Sequence, residues 1–401
     1  MITGLPACIC ELADALPNHF AQEAHMRNRT AIWCTFPFIL TFGACRNADD
    51  LQESGAGGSV DGASGGMTAS GGNSASAGTT IDTSRPAPPI SQVSKIPIPP
   101  TTADVPQPSG TPDGKLTVID WAGFKAAISY TFDDNTSSQI YNYGVLNSLR
   151  VPFTFFLWTS TDNAANSIWE EALLDGHELG NHTKTHMDGG SLIAEDTDAA
   201  TAFIKKRFGV TPYTMAAPYG NISYSEIARS RFLLNRGLGD DTLSPNDNTD
   251  PFYVPCYVPS ALAKASEFNS KVDNARANKR WQILVLHGFT SGGFGGYHAV
   301  DLEEFVISVD YARSLQDVWL DTMIAVGTYW IGQKRLTSLT PTTTGNIITW
   351  NWTLPDHFPK GKYVRVTVTG GTLQQGLQTL VWDPHGYYEV ALDAKTLTLS
   401  P

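Results

Sequence analysis

Ala126–Asn135 reads AAISYTFDDN. A run of apolar and small residues leads into two adjacent carboxylates, Asp133 and Asp134, and then into a polar turn. An apolar run of this length, bounded by turn residues, reads as a buried parallel strand. The acids then sit at the C-terminal end of that strand, where α/β folds gather their chemistry. Neighbouring carboxylates repel each other unless a cation or a proton lies between them. Two further stretches offer partners: GNHTKTH, with His182 and His186, and WQILVLH, a second strand-like run ending on His287.

Strand and helix signals alternate from Val118 to Gln333, the mark of a parallel α/β fold. Strands are expected at Ala126–Phe132, Pro152–Trp158, Thr214–Ala217 and Trp281–Leu286. Helices are expected at Ser137–Leu149, Ala164–Asp175, Thr197–Phe208, Ser223–Phe232, Leu302–Leu315 and Asp317–Gln333. After Leu336 short strands separated by Gly, Pro and Asp turns suggest a small β-sandwich, with Trp350, Trp352 and Trp382 as candidates for sugar stacking or for plain packing.

Ahead of the α/β region lie segments of different composition. Residues 1–45 read as a leader, with a better signal start at Met26: MRNR is basic and Ala31–Phe42 is a short apolar core. Such a core is too short to span a bilayer and suits an export signal. The following FGAC, ending on Cys45, is similar to a bacterial lipobox, which implies a lipid tether to a membrane and a cell-surface, periplasmic or secreted location. Residues 46–114 form a linker, first rich in Gly and Ser and then in Pro, flexible and then stiffer. The expected division is thus 1–45 leader, 46–114 linker, 115–335 catalytic domain and 336–401 a small all-β domain. G-A-S-G-G at 62–66 matches a nucleophile-elbow pattern, but no strand or helix signal flanks it.

Composition excludes some classes. The chain has 401 residues and a formal net charge of −12, which argues against a nucleic-acid binder, since that class carries a basic patch. Of five cysteines, only Cys256 falls in the α/β region, so no disulfide framework is expected.

The histidines and acids form one constellation. On a helical turn His182 and His186, at i and i+4, would reach one metal together. A strand-end carboxylate, Asp134, completes a two-His, one-carboxylate set with open positions. Alone, the same residues read as two polar-loop histidines and an N-capping aspartate. A metal-activated water needs a base, for which Asp133 is placed, and a leaving group needs an acid, for which His287 is placed. The turn Pro218-Tyr219-Gly220 could point backbone N–H groups at an oxyanion. Trp158, Pro218, Tyr219, Phe289, Phe294 and Tyr297 are candidates for a sugar-binding groove, with GFTSGGFGGYH at 288–298 as a rim loop and His298 beside the cleft.

These residues resemble the polysaccharide deacetylases of carbohydrate esterase family four, the NodB-homology family, over roughly Trp121–Lys334. Thr131-Phe132-Asp133-Asp134 matches the first motif, which implies Asp133 as catalytic base and Asp134 as metal ligand. His182-Thr183-Lys184-Thr185-His186 matches the second, implying two metal-ligating histidines, and Leu284-Val285-Leu286-His287 matches the last, implying His287 as general acid. The resemblance implies a distorted (β/α) barrel, a divalent metal (zinc, or cobalt or another ion) and deacetylation of N-acetyl glycans or O-acetyl xylan.

Two motifs depart. Ala216-Ala217-Pro218-Tyr219 stands where the family has Arg-x-Pro-Tyr, and the D-x-x-D-W motif is absent. Tyr219 keeps the backbone donor. Arg236 is the candidate replacement, pairing with Asp133 from a neighbouring strand end; the alternative is a surface charge beside a weakened site. The second functional class is a cell-surface glycan-binding protein whose enzymatic site has decayed.

Overall fold

The computed structural model describes Ser94 and the residues from Ile96 to Pro401. The proposed leader, the Met26 start, Cys45 and the Gly/Ser tether lie outside these described residues.

The first strand, β1 (Leu116–Val118), precedes the α/β region proper. Next comes β2 (Ala126–Phe132), buried at every position. Two short helices, α1 (Ser137–Tyr141) and α2 (Tyr143–Ser148), lead to β3 (Thr154–Leu157). Then α3 (Ile168–Leu174), β4 (Glu178–Asn181), α4 (Ile193–Phe208), β5 (Thr214–Ala216), α5 (Ser223–Arg229) and β6 (Leu234–Arg236) alternate. The second half carries α6 (Ala265–Asn278), β7 (Trp281–Leu286), α7 (Leu302–Ser314), β8 (Val318–Leu320) and α8 (Met323–Thr337). The helix expected over Asp317–Gln333 is therefore a strand followed by a helix. Val318-Trp319-Leu320 pairs in parallel with Ala126–Ile128, and Thr322 then caps α8 by accepting from the Ala325 N–H at 3.2 Å.

The parallel sheet runs β6-β5-β4-β3-β2-β7, with β8 also on β2. Residues 254–257 close it into a distorted barrel. Val254 N–H donates to Asn235 O in β6, and Tyr257 N–H donates to Ile283 O in β7, both at 2.9 Å. Strand residues alternate between two environments, as a two-residue repeat demands. Ile128, Tyr130 and Phe132 face the helix layer with Phe268 and Phe305. Ala127, Phe156, Ala216, Leu234 and Ile283 face a second cluster with Trp330 and Leu336 of α8. Phe132 is paired with Leu286 and with Phe155, and Ala216 with Arg236. Each strand therefore ends at one rim of the barrel.

The C-terminal strands are β9 (Thr342–Thr344), β10 (Ile347–Asn351), β11 (Tyr363–Val368), β12 (Thr372–Gln375), β13 (Gln378–Thr379), β14 (Tyr388–Ala391) and β15 (Thr396–Ser400). They form a five-stranded sheet, β13-β12-β15-β10-β9, and a three-stranded sheet, β1-β11-β14. The latter takes its edge strand from before the barrel. Trp350 and Trp352 are buried here in the cluster that also contains Trp330 of α8, and half-buried Trp382 donates its indole N–H to Val105 O at 2.9 Å. The three are packing residues rather than a sugar platform. The Pro-rich segment from Ile96 lies against this sheet instead of standing off as a spacer. The buried Arg365 guanidinium donates to Pro97 O at 2.9 Å, Ile96 O at 3.1 Å and Ala122 O at 2.7 Å. Among the described residues no helix is long and apolar enough to cross a membrane.

Candidate functional site

The parallel strands deliver their C-terminal residues to one rim. Asp133 and Asp134 follow β2, Trp158 follows β3, His182 follows β4, Arg236 ends β6 and His287 follows β7. The two histidines do not lie on a helix. Residues 182–186 are an irregular loop in which Thr183 and His186 take φ of 61° and 56°. Asp134 (71°) and Tyr219 (55°) are also left-handed. Such conformations are disfavoured for residues with a Cβ, most of all for a β-branched one, and they collect where function over-determines the backbone. Here hydrogen bonds hold them. Asn181 Oδ1 accepts from Thr183 N–H at 2.8 Å, and Asp196 of α4 accepts from the N–H groups of Lys184 and Thr185 at 3.1 and 3.0 Å.

The loop brings His182 Nε2 to 3.3 Å and His186 Nε2 to 3.6 Å from Asp134 Oδ1, with the two Nε2 atoms 3.1 Å apart. The potential ligand atoms of these three residues all lie within 4.8 Å of one another. The tautomer of His182 follows from its other nitrogen. Ala216 O, a carbonyl, only accepts, and it lies 2.8 Å from His182 Nδ1. Nδ1 therefore carries the proton and the Nε2 lone pair faces Asp134 in the neutral ring. Asp134 Oδ1 is buried and without a hydrogen-bond partner. A carboxylate oxygen facing imidazole lone pairs needs a positive centre between them. The residues present thus fit a divalent cation.

Protonation follows the same field. Burial alone would raise the Asp134 carboxyl, but the neighbouring His182, with His287 and His186, holds it at about 2. Burial and the neighbouring His182 push His186 down to about 4, which keeps it neutral. Burial opposes charge on His182 too, yet Asp133 and Asp134 outweigh it and raise that ring above its ordinary value. Burial lowers His287 against the pull of both carboxylates.

Asp133 stands behind this group, 4 % exposed. Its Oδ2 is bonded by the Arg236 guanidinium and lies 3.8 Å from His182 Nε2, while Oδ1 is buried without a partner. Arg236 is itself buried at 2 % exposure. Its Nη1 lies 3.3 Å from Cys256 Sγ and its guanidinium 5.5 Å from the Phe156 ring centre. Burial would lower the pKa of Arg236, but Asp133 outweighs it and holds the guanidinium charged. Gln139 joins the two strand ends, donating to Asp133 O at 2.6 Å and His287 O at 2.7 Å.

Other sequence candidates divide. Tyr219 lies in the first turn of a 3-10 segment, Pro218–Gly220, where N–H groups have no intrahelical acceptor. Its side chain is exposed and its ring centre lies 4.6 Å from that of His186. Tyr297 is exposed and packs edge-on against His287 at 5.5 Å, with His298 stacked on it at 3.9 Å. Pro218 is buried. Phe289 must be withdrawn from the groove. It is fully buried, with ring centres 5.9 Å from Phe132 and 5.7 Å from Phe305, because its side chain turns from the rim into the helix layer. Asn135, Gln139 and Asp196 were missed as supports. Asn135 directly follows the carboxylate pair, which is a usable signal; Asp196 has none, since it lies ten residues beyond His186 in α4.

Comparison with known proteins agrees with the motifs. Residues 123–232 match the family model described as polysaccharide deacetylase; His287 and Arg236 lie beyond the matched stretch. A gellan lyase from a Bacillus species is 32 % identical over 132 residues, 31 % of this chain and 5 % of that relative's length. The peptidoglycan deacetylase PdaC of Bacillus subtilis is 20 % identical with a TM-score of 0.34, covering 50 % of this chain and 89 % of its own. A family 4 acetyl xylan esterase of Clostridium thermocellum, solved with a cobalt ion, is 18 % identical with a TM-score of 0.34, covering 50 % and 90 %. The stretch that is similar to the polysaccharide deacetylase family, residues 123–232, is the one that carries the Asp133-Asp134 and His182…His186 motifs.

Proposed function

We propose that the rim site removes acetyl groups from a carbohydrate, an N-acetyl glycan or an O-acetyl xylan, by metal-dependent hydrolysis. One observation carries the reading: Asp134 Oδ1 is buried, unbonded and faced by two imidazole nitrogens. Asp134, His182 and His186 would hold the ion, and two nitrogens with one oxygen suit zinc, with cobalt or another divalent ion as substitutes. When bound, such an ion acts as a Lewis acid that acidifies water and polarises a carbonyl.

The chain's own residues do the rest. Asp133, bonded by the Arg236 guanidinium, takes the proton of the attacking water. The water oxygen bonds to the acetyl carbon, and the Tyr219 N–H donates to the oxyanion that forms. As the C–N or C–O bond breaks, His287 hands a proton to the leaving amine or alcohol. The products are acetate and the free sugar group. Tyr219, Trp158 and Tyr297 offer ring faces and edges to a pyranose beside the centre. Residues 26–45 support export, with Cys45 as the tether to a membrane, which intact-mass measurement of the mature protein would test.

The decisive assay is acetate release from acetylated xylan and from chitooligosaccharides by zinc-reconstituted protein. We expect release by the wild type and none above background from Asp134→Ala. Equal release by both proteins would remove the metal from the reaction. No release from either substrate by zinc-loaded wild type would shift the reading toward a glycan-binding role.

A further inference from the structure

We propose that Trp158 is a positioning residue for the metal centre: its indole holds the imidazole of His186 in ligating orientation, and Asn135 ties the Trp158 backbone to the Asp134 turn. This rests on the metal-site reading above, and it assigns Trp158 a task other than substrate contact.

The two histidines are held differently. His182 is locked by the hydrogen bond between Nδ1 and Ala216 O at 2.8 Å, the usual device for orienting a metal-ligating imidazole. No such bond orients His186 among the described residues: its backbone N–H donates to Thr183 Oγ1 at 3.0 Å, and its Nε2 faces only the proposed metal position, 3.1 Å from His182 Nε2 and 3.6 Å from Asp134 Oδ1. Torsion about the bond to an imidazole ring is broad in the absence of a partner. The loop fixes where His186 starts but not where Nε2 points.

Packing supplies what the missing hydrogen bond does not. The Trp158 ring lies 4.8 Å from the His186 ring at only 31° between planes. Tyr219 closes on the same imidazole at 4.6 Å and 68°. Trp158 is in turn held at two points, and the asparagine that holds it is itself bonded. Its backbone N–H donates to Asn135 Oδ1 at 2.7 Å, its indole N–H donates to Ser160 Oγ at 3.0 Å, and Asn135 Nδ2 donates to Thr161 Oγ1 at 2.6 Å. Asn135 directly follows Asp134, so the backbone of Trp158 is fastened to the residue next to the carboxylate ligand. Charge adds to shape. An imidazole bound to a cation carries partial positive charge, which the face of an indole attracts. Trp158 therefore favours the metal-loaded arrangement over the empty one.

The test is zinc affinity, read by competition with a chromophoric chelator, for wild type, Trp158→Ala, Trp158→Leu and Trp158→Phe. Outer-shell partners of metal ligands are worth ~10–100-fold in affinity, so Trp158→Ala should bind zinc that much more weakly. Trp158→Phe, which keeps a ring face, should recover most of the loss. Trp158→Leu keeps bulk without the face, should remain weak, and decides the matter where the alanine variant loses its near-ultraviolet dichroism. In cobalt-substituted protein the visible ligand-field bands of Trp158→Leu should shift, which a purely structural role would not produce. Affinities of Trp158→Ala and Trp158→Leu equal to the wild type, with unshifted bands, would overturn the proposal and leave the metal site standing. A wild type that binds neither ion overturns both.

Discussion

Arg236 and Asp133 show how much a single buried pair controls. The family arginine is missing from the stretch before Pro218, yet a guanidinium reaches the same kind of carboxylate from β6, two strands away in the sheet from β4 and its histidine loop. Both charges are buried, so each is a liability without the other. Removing one partner of such a pair costs ~3–5 kcal/mol. Arg236→Met should lose that much stability in urea unfolding, and Asp133→Asn alone should also destabilise. In the double variant the two losses should overlap by more than about 1 kcal/mol, as they do for residues in direct contact. Strict additivity would mean that the pair is not coupled in solution. Cys256 belongs to the same unit: its thiol lies 3.2 Å from Gly237 O and 3.3 Å from Arg236 Nη1, and it is held there by the segment that closes the barrel.

At the scale of elements, the strands must pack closely enough to put these side chains in register. Gly180 in β4 shows the tolerance. A Cβ at this position would lie 2.4 Å from two atoms of the Phe156 ring and 3.0 Å from Thr214 Oγ1. Phe156 in β3 is also the ring over which the Arg236 guanidinium sits. An added methyl would thus be transmitted through one aromatic ring to the arginine that holds the proposed base. Overpacking of this kind costs ~1–3 kcal/mol. Gly180→Ala should lower the melting temperature and reduce acetate release, and adding Phe156→Leu should restore the melting temperature in part. A Gly180→Ala protein as stable as the wild type would show that β3 and β4 can separate freely. The same reasoning explains why the histidine motif comes out of β4 as a loop. Its left-handed residues and the Asp196 clamp replace a helical turn that the i, i+4 spacing had suggested.

Across the whole molecule, the barrel and the C-terminal sheets share one hydrophobic cluster. It runs from Trp281 and Trp330 to Trp350, Val364 and Leu392. Gly332 of α8 lets Leu392 and Val364 come so close that a Cβ there would meet them at 2.6 and 2.9 Å. β1, upstream of the barrel, is an edge strand of a C-terminal sheet, and Arg365 pins the proline segment from the other side. Truncation after Ser338 would expose large buried side chains and orphan β1. We expect such a protein to unfold without a cooperative transition, or to aggregate. A truncated chain that melts cooperatively near the wild-type temperature would show instead that the barrel stands alone.

How much of this was legible beforehand depends on how local the information is. β2 and β7 were readable to the residue because a continuous apolar run with sharp polar ends has few other destinations than a buried strand. The carboxylate pair and the histidine spacing were readable because ligand chemistry restricts residue types. β8 was lost inside a longer helix pattern, since three apolar residues carry too little periodicity to mark a strand. Nothing local tells Phe289 to turn into the helix layer while Tyr297, eight residues on, stays exposed. Sequence by itself therefore determined the parallel α/β architecture and the candidate ligand set, because strand burial and metal chemistry are written in short patterns. Only the tertiary structure decided that Arg236 meets Asp133, that Trp158 lies on His186 and that the C-terminal sheets complete the core. Those contacts join residues from different strands, and their geometry depends on loops and packing that no short pattern encodes.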